Sequence, residues 1–111
     1  MEQEHSNLDI NLLLEAIKTY DYYTETQRLI LQIIVQTSVN GCSKITTSFL
    51  AEKANVSRTA VYKCLKKFVD EGDIVIDILK KRQRMILLNV EYMKNIISLH
   101  RAKQNITPSV Q

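Results

Sequence analysis

Seven side chains in the middle of the chain combine positive charge with hydrogen-bond donors. They are Ser57, Arg58, Thr59, Tyr62, Lys63, Lys66 and Lys67. In a helix that turns by about 100° per residue, most of them share one face, and apolar residues such as Val61 and Leu65 share the opposite one. Arginine, lysine and hydroxyl groups are the side chains that contact phosphate oxygens and the edges of bases. The pattern predicts a helix that packs on one side and offers a nucleic-acid-binding surface on the other.

Residues 49–72 have the pattern of two short amphipathic helices joined by a tight turn. Asn55 tolerates left-handed backbone and can end the first helix. Ser57 is a good N-cap for the second helix, and Gly72 suits the left-handed position just past its end. The second helix is therefore predicted over Arg58–Glu71.

The packing positions of this segment resemble those of the winged helix-turn-helix superfamily. The small residue Ala51 stands in the middle of the first helix and Asn55 stands at the turn. The apolar packing positions are Leu50, Ala54, Val56, Val61 and Cys64. Asn55 departs from the glycine common at the turn, and Cys64 replaces a larger aliphatic residue. A plain helical hairpin fits the same periodicity, but it does not explain why Lys63, Lys66 and Lys67 lie on one face.

Phosphate contacts from the first motif helix are expected at Thr46, Thr47 and Ser48. Arg58 and Lys67 are expected to contribute further phosphate contacts, whereas Ser57, Thr59, Tyr62, Lys63 and Lys66 are expected to contact bases. This division is an expectation drawn from side-chain chemistry and from position along the motif.

A β-hairpin is expected after Gly72. Ile74, Ile76 and Ile78 alternate with other residues, and a second β-rich run covers residues 85–90. The tip carries Lys80, Lys81, Arg82 and, one residue further on, Arg84. In a winged helix this tip is the wing, which contacts the DNA backbone or the minor groove. The alternative is a solvated turn whose charges protect a sheet edge.

A helix that begins with the Thr24-x-x-Gln27 capping signature precedes the motif. It is predicted to be the first helix of the winged core. Its apolar face is expected to contain Leu29, Ile30, Ile33, Ile34 and Val39.

Two additional helices are predicted outside the minimal winged fold, over residues 8–20 and 91–103. Their apolar positions are Ile10, Leu13, Leu14, Ile17, Met93, Ile96 and Ile97. Apolar stripes of this kind must be buried against another surface. A second copy of the chain would supply that surface, so a two-fold homodimer is predicted. The alternative is that the two helices cover each other within one subunit.

One domain is expected from 111 residues. The predicted class is mainly α with a two-stranded β-wing, a winged helix-turn-helix with extra N- and C-terminal helices. The N-terminal helical segment is assigned to residues 7–23, the winged core to 24–90, the C-terminal helix to 91–103 and a flexible tail to 104–111.

The order of elements is similar to that of small dimeric regulators of the MarR and SarA type. This resemblance implies a sequence-specific double-stranded DNA-binding protein, a dimeric transcriptional regulator, with repression favoured over activation. Its two recognition helices would enter successive major grooves about 34 Å apart. One alternative is a plasmid or phage replication initiator that binds an origin. The second is a winged-helix scaffold that binds an acidic protein.

The net charge of +3 hides an asymmetry along the chain. Residues 1–40 hold 2 basic and 6 acidic side chains, which gives −4, and residues 41–111 hold 13 and 6, which gives +7. The positive charge therefore accompanies the motif, as expected for a phosphate-binding surface.

Catalysis, cofactors and resident metal ions are not expected. The chain has only two glycines, so no phosphate-binding glycine loop can be written. Cys42, placed in a loop after Gly41, and Cys64, placed on a packing face, are interpreted as structural thiols rather than as a disulfide or a zinc site. Asp70, Glu71 and Asp73 are interpreted as cap and turn residues rather than metal ligands.

The cluster of Tyr20, Tyr22 and Tyr23 between the first two helices is interpreted as core or interface packing, with an effector pocket as the less favoured alternative. His5 and His100 receive no role. No apolar run approaches a membrane span and the N-terminus lacks the features of a secretory signal, so a cytoplasmic location without membrane contact is expected.

Overall fold

The computed structural model of the chain describes residues 8–79 and 83–106. Its elements in order are α1 (Ile10–Lys18), α2 (Glu25–Gln36), β1 (Cys42–Ser43), α3 (Thr47–Ala54), α4 (Arg58–Glu71), β2 (Ile74–Leu79), β3 (Gln83–Leu88) and α5 (Val90–Ile106). The predicted order of helix, helix, helix-turn-helix, hairpin and helix is confirmed.

Side-chain caps set the beginnings of four helices. Asp9, Thr24, Thr46 and Ser57 each accept a hydrogen bond from a backbone N–H in the first turn of the helix that follows. At Thr24 the cap is reciprocal, because the Gln27 side chain also accepts from the Thr24 backbone N–H at 2.9 Å. The capping signature in the sequence therefore located the start of α2 correctly.

The sheet has three antiparallel strands in the order β1-β3-β2, so the expectation of two strands was incomplete. The extra strand follows a tight turn at Asn40 and Gly41, whose φ angles are +55° and +80°. Val39 and Cys42 pair across this turn. Two successive left-handed residues are typical of a type I′ hairpin turn, for which Asn-Gly is the preferred sequence. Cys42 consequently lies in β1 and not in a loop.

The core lies where all five helices in the described residues converge on the inner face of the sheet. Its largest fully buried side chains include Tyr23, Phe68, Leu13, Ile17, Ile30, Leu31 and Met93. On β2, Ile74 is buried whereas Val75 is 55% exposed, so the strand alternates between the core and solvent. The sheet has one covered face and one open face.

Three predicted boundaries were wrong. The N-terminal helix covers Ile10–Lys18 rather than residues 8–20. Val39 does not continue the apolar face of α2, because that helix ends at Gln36 and Val39 is 71% exposed in the turn. Finally, α5 continues to Ile106, so residues 104–106 are helical and not part of a tail. Residues 107–111 lie outside the described part of the chain.

Candidate nucleic-acid interface

The turn between α3 and α4 has the geometry of a helix-turn-helix. Asn55 adopts left-handed φ and ψ angles of 58° and 47°, which end α3. The Val56 N–H then bonds to the Ala51 carbonyl oxygen at 3.0 Å, which closes the turn. Ser57 Oγ accepts from the Ala60 N–H at 3.1 Å and begins α4. The turn is short, and α3 and α4 pack against each other.

The α4 helix has one buried and one exposed face. Val61, Cys64, Leu65 and Phe68 are buried against the rest of the domain. Arg58, Thr59, Tyr62 and Lys63 are exposed on the other side. The division predicted from the helical periodicity is therefore present, and the N-terminal half of α4 presents hydroxyl, phenol, guanidinium and ammonium groups to solvent.

Ion pairs divide the exposed face of α4 into two halves of different charge. Lys66 Nζ lies 3.2 Å from Asp70 Oδ2, and Lys67 Nζ lies 3.4 Å from Glu71 Oε2. These pairs neutralise the last two turns of the helix. Lys63 has no ion-pair partner within the described residues. The net positive charge of α4 is thus concentrated near its N-terminus, where the helix dipole is also positive.

Lys67 faces the domain more than the other lysines do. Its ammonium group lies 5.2 Å from the centroid of the Tyr22 ring as well as beside Glu71. The hydrogen bond to Glu71 raises the pKa of Lys67, with burial acting in the opposite direction. The side chain is therefore held by neighbours from α4 and from the turn between α1 and α2.

The three expected phosphate contacts at the start of α3 differ in accessibility. Thr46 is exposed and caps the helix by accepting from the Phe49 N–H at 3.0 Å. Ser48 is exposed, and its Oγ accepts a long hydrogen bond of 3.4 Å from the Arg58 guanidinium. The Thr47 side chain is only 6% exposed. A phosphate that approaches α3 would meet Thr46 and Ser48 before Thr47.

The expected wing contacts fall mostly outside the described residues. Lys80, Lys81 and Arg82, between β2 and β3, lie outside the described residues. Arg84 lies in β3, opposite Ile78 in the register of the hairpin. The strands on either side are paired from Ile74 with Leu88 to Leu79 with Gln83, so the two strands of the predicted hairpin are present.

Most residues expected at a dimer interface are covered within the subunit, because α1 packs against α5. Leu13, Ile17, Met93, Ile96 and Ile97 are all less than 9% exposed, and Leu14 is half-buried. The expectation that these stripes need a second copy as cover was therefore wrong, because α1 and α5 cover each other within one chain. Ile10, at 40% exposure, is the exception among the seven.

A buried cluster of hydrogen bonds, here called the polar joint, lies under the C-terminal end of α4 and was not predicted from the sequence. Both carboxylate oxygens of Asp73 accept from the Tyr23 hydroxyl, and the Asp73 carbonyl oxygen accepts from the Asn89 N–H. The Asn89 side chain donates to the Gly72 carbonyl oxygen at 2.8 Å and accepts from the Tyr92 N–H. Asp73, expected to be a cap or turn residue, is fully buried. The joint connects the α1–α2 turn, α4, both strands of the hairpin and α5.

The tyrosine cluster takes part in this joint. Tyr23 is 1% exposed and its ring lies 5.3 Å from that of Phe68 of α4, whereas Tyr22 is 56% exposed. Burial and the hydrogen bond to Asp73 raise the pKa of Tyr23 well above its usual range. Tyr20 is half-buried, and its hydroxyl lies 3.2 Å from that of Tyr92. The cluster therefore packs against the C-terminal end of α4.

His100, which received no role from the sequence, is 8% exposed on α5. Its Nδ1 lies 3.3 Å from the Thr19 hydroxyl just after α1. No helix within residues 8–79 and 83–106 has the length and apolar character of a membrane span. Those same residues contain no group of three or more His, Cys, Asp or Glu side chains that could hold a metal ion.

The helix-turn-helix, the paired hairpin and the flanking helices define a winged-helix fold of the MarR type. The structure is similar to that of the adhesin competence repressor AdcR from Streptococcus pyogenes, with 28% identity, a TM-score of 0.54 and coverage of 98% of this chain and 76% of that one. It is also similar to ZitR from Lactococcus lactis, a zinc-responsive MarR family member, with 24% identity, a TM-score of 0.53 and coverage of 91% and 77%.

A third similar structure is a protein of the thermoacidophilic archaeon Sulfolobus tokodaii, with 20% identity, a TM-score of 0.58 and coverage of 89% of this chain and 97% of that one. At these lower identities the similarity shows the fold alone. No protein-family model matches the sequence, and no curated protein matches it. The resemblance to winged MarR-type regulators stated from the helix-turn-helix residues is thus confirmed at the level of the fold.

Proposed function

We propose that this protein is a transcriptional regulator that binds double-stranded DNA sequence-specifically, with α4 in the major groove. The observation that carries the proposal is the exposed N-terminal half of α4, where Arg58, Thr59, Tyr62 and Lys63 surround the positive end of the helix. Arginine and lysine are suited to guanine edges, and the apolar part of Tyr62 is suited to a thymine methyl group. The protein would act in the cytoplasm, in contact with the DNA.

Phosphate contacts would flank this base-reading surface. Thr46 and Ser48 are exposed at the start of α3, near the positive end of that helix dipole. Lys80, Lys81, Arg82 and Arg84 would supply further contacts from the wing, along the backbone or in the minor groove. We propose that Lys66 and Lys67 contribute less than Lys63, because Asp70 and Glu71 already neutralise them.

We propose that the protein acts as a homodimer and that it represses rather than activates. A dimer would place two copies of α4 about 34 Å apart, in successive major grooves of a palindromic site. Ile10 of α1 and Leu99 of α5 remain 40% and 51% exposed on the terminal helices and are the apolar residues we assign to the contact. Occupying the duplex is sufficient for repression, whereas activation also requires a surface for another protein.

Fluorescence anisotropy with a mixed-sequence labelled duplex, measured over a salt series, tests DNA binding. We expect micromolar affinity and a log–log slope of roughly −4 or steeper, since each neutralised phosphate contributes about −0.9. Absence of binding at low salt would contradict the proposal and leave the protein-interaction scaffold as the function to pursue. Selection from a random duplex library would then test whether binding is specific in sequence.

Sedimentation equilibrium tests the dimer. The chain has a mass of 12.8 kDa, and we expect twice that mass for the wild type. Leu99→Glu should shift the equilibrium toward the monomer, because it places a charge in an apolar contact. Val75→Glu is the matched control, since Val75 is 55% exposed but lies on β2. Equal effects of the two variants would refute the assignment of Leu99 to the contact.

A further inference from the structure

The open face of the sheet carries two rows of side chains that run across all three strands. Side chains alternate along each strand, so Ser43 and Ile86 point into the core, where they are 0% and 2% exposed. Their neighbours in sequence point outward, to the open face. The first row there is apolar, and in the register of the strands it consists of Cys42, Leu87 and Val75.

The second row of the open face is charged at both ends and apolar in the middle. Lys44 follows β1 directly, so it is level with Met85 when the register of β1 and β3 is continued, and the two side chains line one pocket. Asp77 pairs with Met85 from the other side. Lys44 and Asp77 are both exposed, and neither has an ion-pair partner within residues 8–79 and 83–106. The β1 edge of the face therefore carries a cation and the β2 edge a carboxylate.

We propose that the open face binds the same face of a second copy of the chain, around a two-fold axis that runs parallel to β3. Such an axis places β1 of one copy over β2 of its partner. Lys44 then meets the partner's Asp77, and Asp77 meets the partner's Lys44. Met85 and Leu87 lie close to the axis and meet their own counterparts. The face is thus complementary to itself in charge and in the position of its apolar side chains.

The charge pattern also selects this axis over the other way of stacking two such faces. A two-fold axis across the strands, through the second row, would place Lys44 over the partner's Lys44 and Asp77 over the partner's Asp77. Like charges would then meet at both edges, which disfavours association. The parallel axis agrees with the general geometry of stacked sheets, whose strands stay within about 30° of each other.

The small size of the open face makes this a weak contact. Three strands at a spacing of about 4.8 Å form a face only about 15 Å wide. Weak interfaces bury less than about 1,200 Å² in total, and we expect a dissociation constant of about 0.1–1 mM. The contact is therefore largely dissociated at micromolar concentrations, where the contact proposed for α1 and α5 is measured. It lies apart from the exposed face of α4 and does not depend on DNA binding.

Sedimentation equilibrium of the Leu99→Glu chain at concentrations up to about 1 mM tests the contact. This background weakens the contact proposed for α1 and α5, so the remaining association reports on the sheet. We expect the average mass to rise with concentration from 12.8 kDa toward twice that value. Adding Lys44→Glu or Asp77→Lys should weaken association by about tenfold or more, because each change creates two like-charge contacts. Lys94→Glu, on exposed α5, is the matched control for Lys44→Glu and should leave the rise unchanged.

An equimolar mixture of the Lys44→Glu and Asp77→Lys chains is the decisive sample. In a mixed pair, the carboxylate introduced at position 44 meets the ammonium introduced at position 77, and the unchanged Asp77 meets the unchanged Lys44. Both contacts join opposite charges, so the mixture should associate although neither chain does so alone. A mixture that stays monomeric, or a Leu99→Glu chain whose mass stays at 12.8 kDa throughout, would overturn the proposal. Loss of association in Lys94→Glu would overturn it too, and circular dichroism checks that each variant is folded.

Discussion

Tyr23 donates its hydroxyl hydrogen to the carboxylate of Asp73, with oxygen–oxygen distances of 2.7 and 2.8 Å. The two residues are 1% and 0% exposed. Burial disfavours the charged carboxylate and raises the pKa of Asp73 to about 6, while the hydrogen bond from Tyr23 acts in the opposite direction. The pair therefore contains a partly compensated buried charge directly after α4.

Removing the Tyr23 hydroxyl should destabilise the fold. In Tyr23→Phe the buried Asp73 loses its donor, which we expect to lower the free energy of unfolding by about 1–3 kcal/mol. Urea denaturation followed by circular dichroism measures this change. Tyr22→Phe is the control, because Tyr22 is 56% exposed and bonds Glu71 at the surface. We expect a change within about 0.5 kcal/mol for the control, and equal effects would contradict a special role for the buried pair.

Stability should depend on pH through Asp73. The pKa of Asp73 is raised from its ordinary 3.8 to about 6, so the folded chain holds this proton more tightly than the unfolded chain. The stabilisation from protonation is complete below about pH 4 and is lost as the pH rises to about 6. In Asp73→Asn the side chain is always neutral. The free energy of unfolding of the wild type relative to this variant should therefore fall over that interval, by about 3 kcal/mol.

Urea denaturation of both proteins at several pH values measures this difference. Glu71, Tyr20, Tyr22, Tyr23 and Tyr92 are the titratable groups around Asp73, and they are present in both proteins. His100 is also common to both, so the difference isolates position 73. A difference that stays constant between pH 4 and 6, or that grows as the pH rises, would refute the raised pKa.

The lysines of α4 should differ in their effect on DNA binding. Lys63→Ala should weaken specific binding by about 1–3 kcal/mol and change the base preference, because Lys63 is exposed and unneutralised. Lys66→Ala should have a smaller effect, since Asp70 already balances its charge. Asp70→Asn should strengthen binding by releasing Lys66. Affinities for a selected site and its single-base variants measure these effects, and a larger loss for Lys66→Ala than for Lys63→Ala would reverse our assignment.

A substitution in the wing should weaken binding to all sequences alike. Lys81→Ala removes one phosphate contact under our proposal, which should make the log–log salt slope about one unit shallower without altering base preference. Lys94→Ala is the matched control, because Lys94 is exposed on α5 and leaves the net charge of the variant identical. If the control changed the slope as much as Lys81→Ala, the effect would come from overall charge and not from the wing.

The local features of this fold were predictable from the sequence because they depend on neighbouring residues. Ser57 and Gly72 bounded α4 correctly, since a side-chain cap and a left-handed glycine, here with φ of +94°, act within one helical turn. The strand β1 also had a local signal, because Asn40-Gly41 is a preferred hairpin turn. The expected loop at Cys42 was therefore wrong for a reason that the neighbouring residues show.

Features that depend on the assembled tertiary structure were not predictable. The burial of Asp73 requires Tyr23 to arrive from a distant turn, and no local pattern distinguishes it from an ordinary cap residue. The cover of Met93 and Ile97 by α1 also depends on how the terminal helices meet. By contrast, the spacing of Lys66 and Asp70 did indicate an ion pair, because residues four apart are neighbours on a helix. Because Asp70 neutralises Lys66, this spacing already indicates that Lys63 contributes more net positive charge to the exposed face of α4 than Lys66 does.

The joint around Asp73 also limits how the molecule can move. Gly72, Asp73 and Asn89 are bonded to one another, and Tyr23 ties them to the α1–α2 turn. These hydrogen bonds tie the C-terminal end of α4 to the root of the hairpin. If the protein pairs as we propose, we expect operators with different half-site spacings to be accommodated by rotation of one subunit against the other. The relative movement of the two subunits would then take place at the contact between α1 and α5 of neighbouring copies.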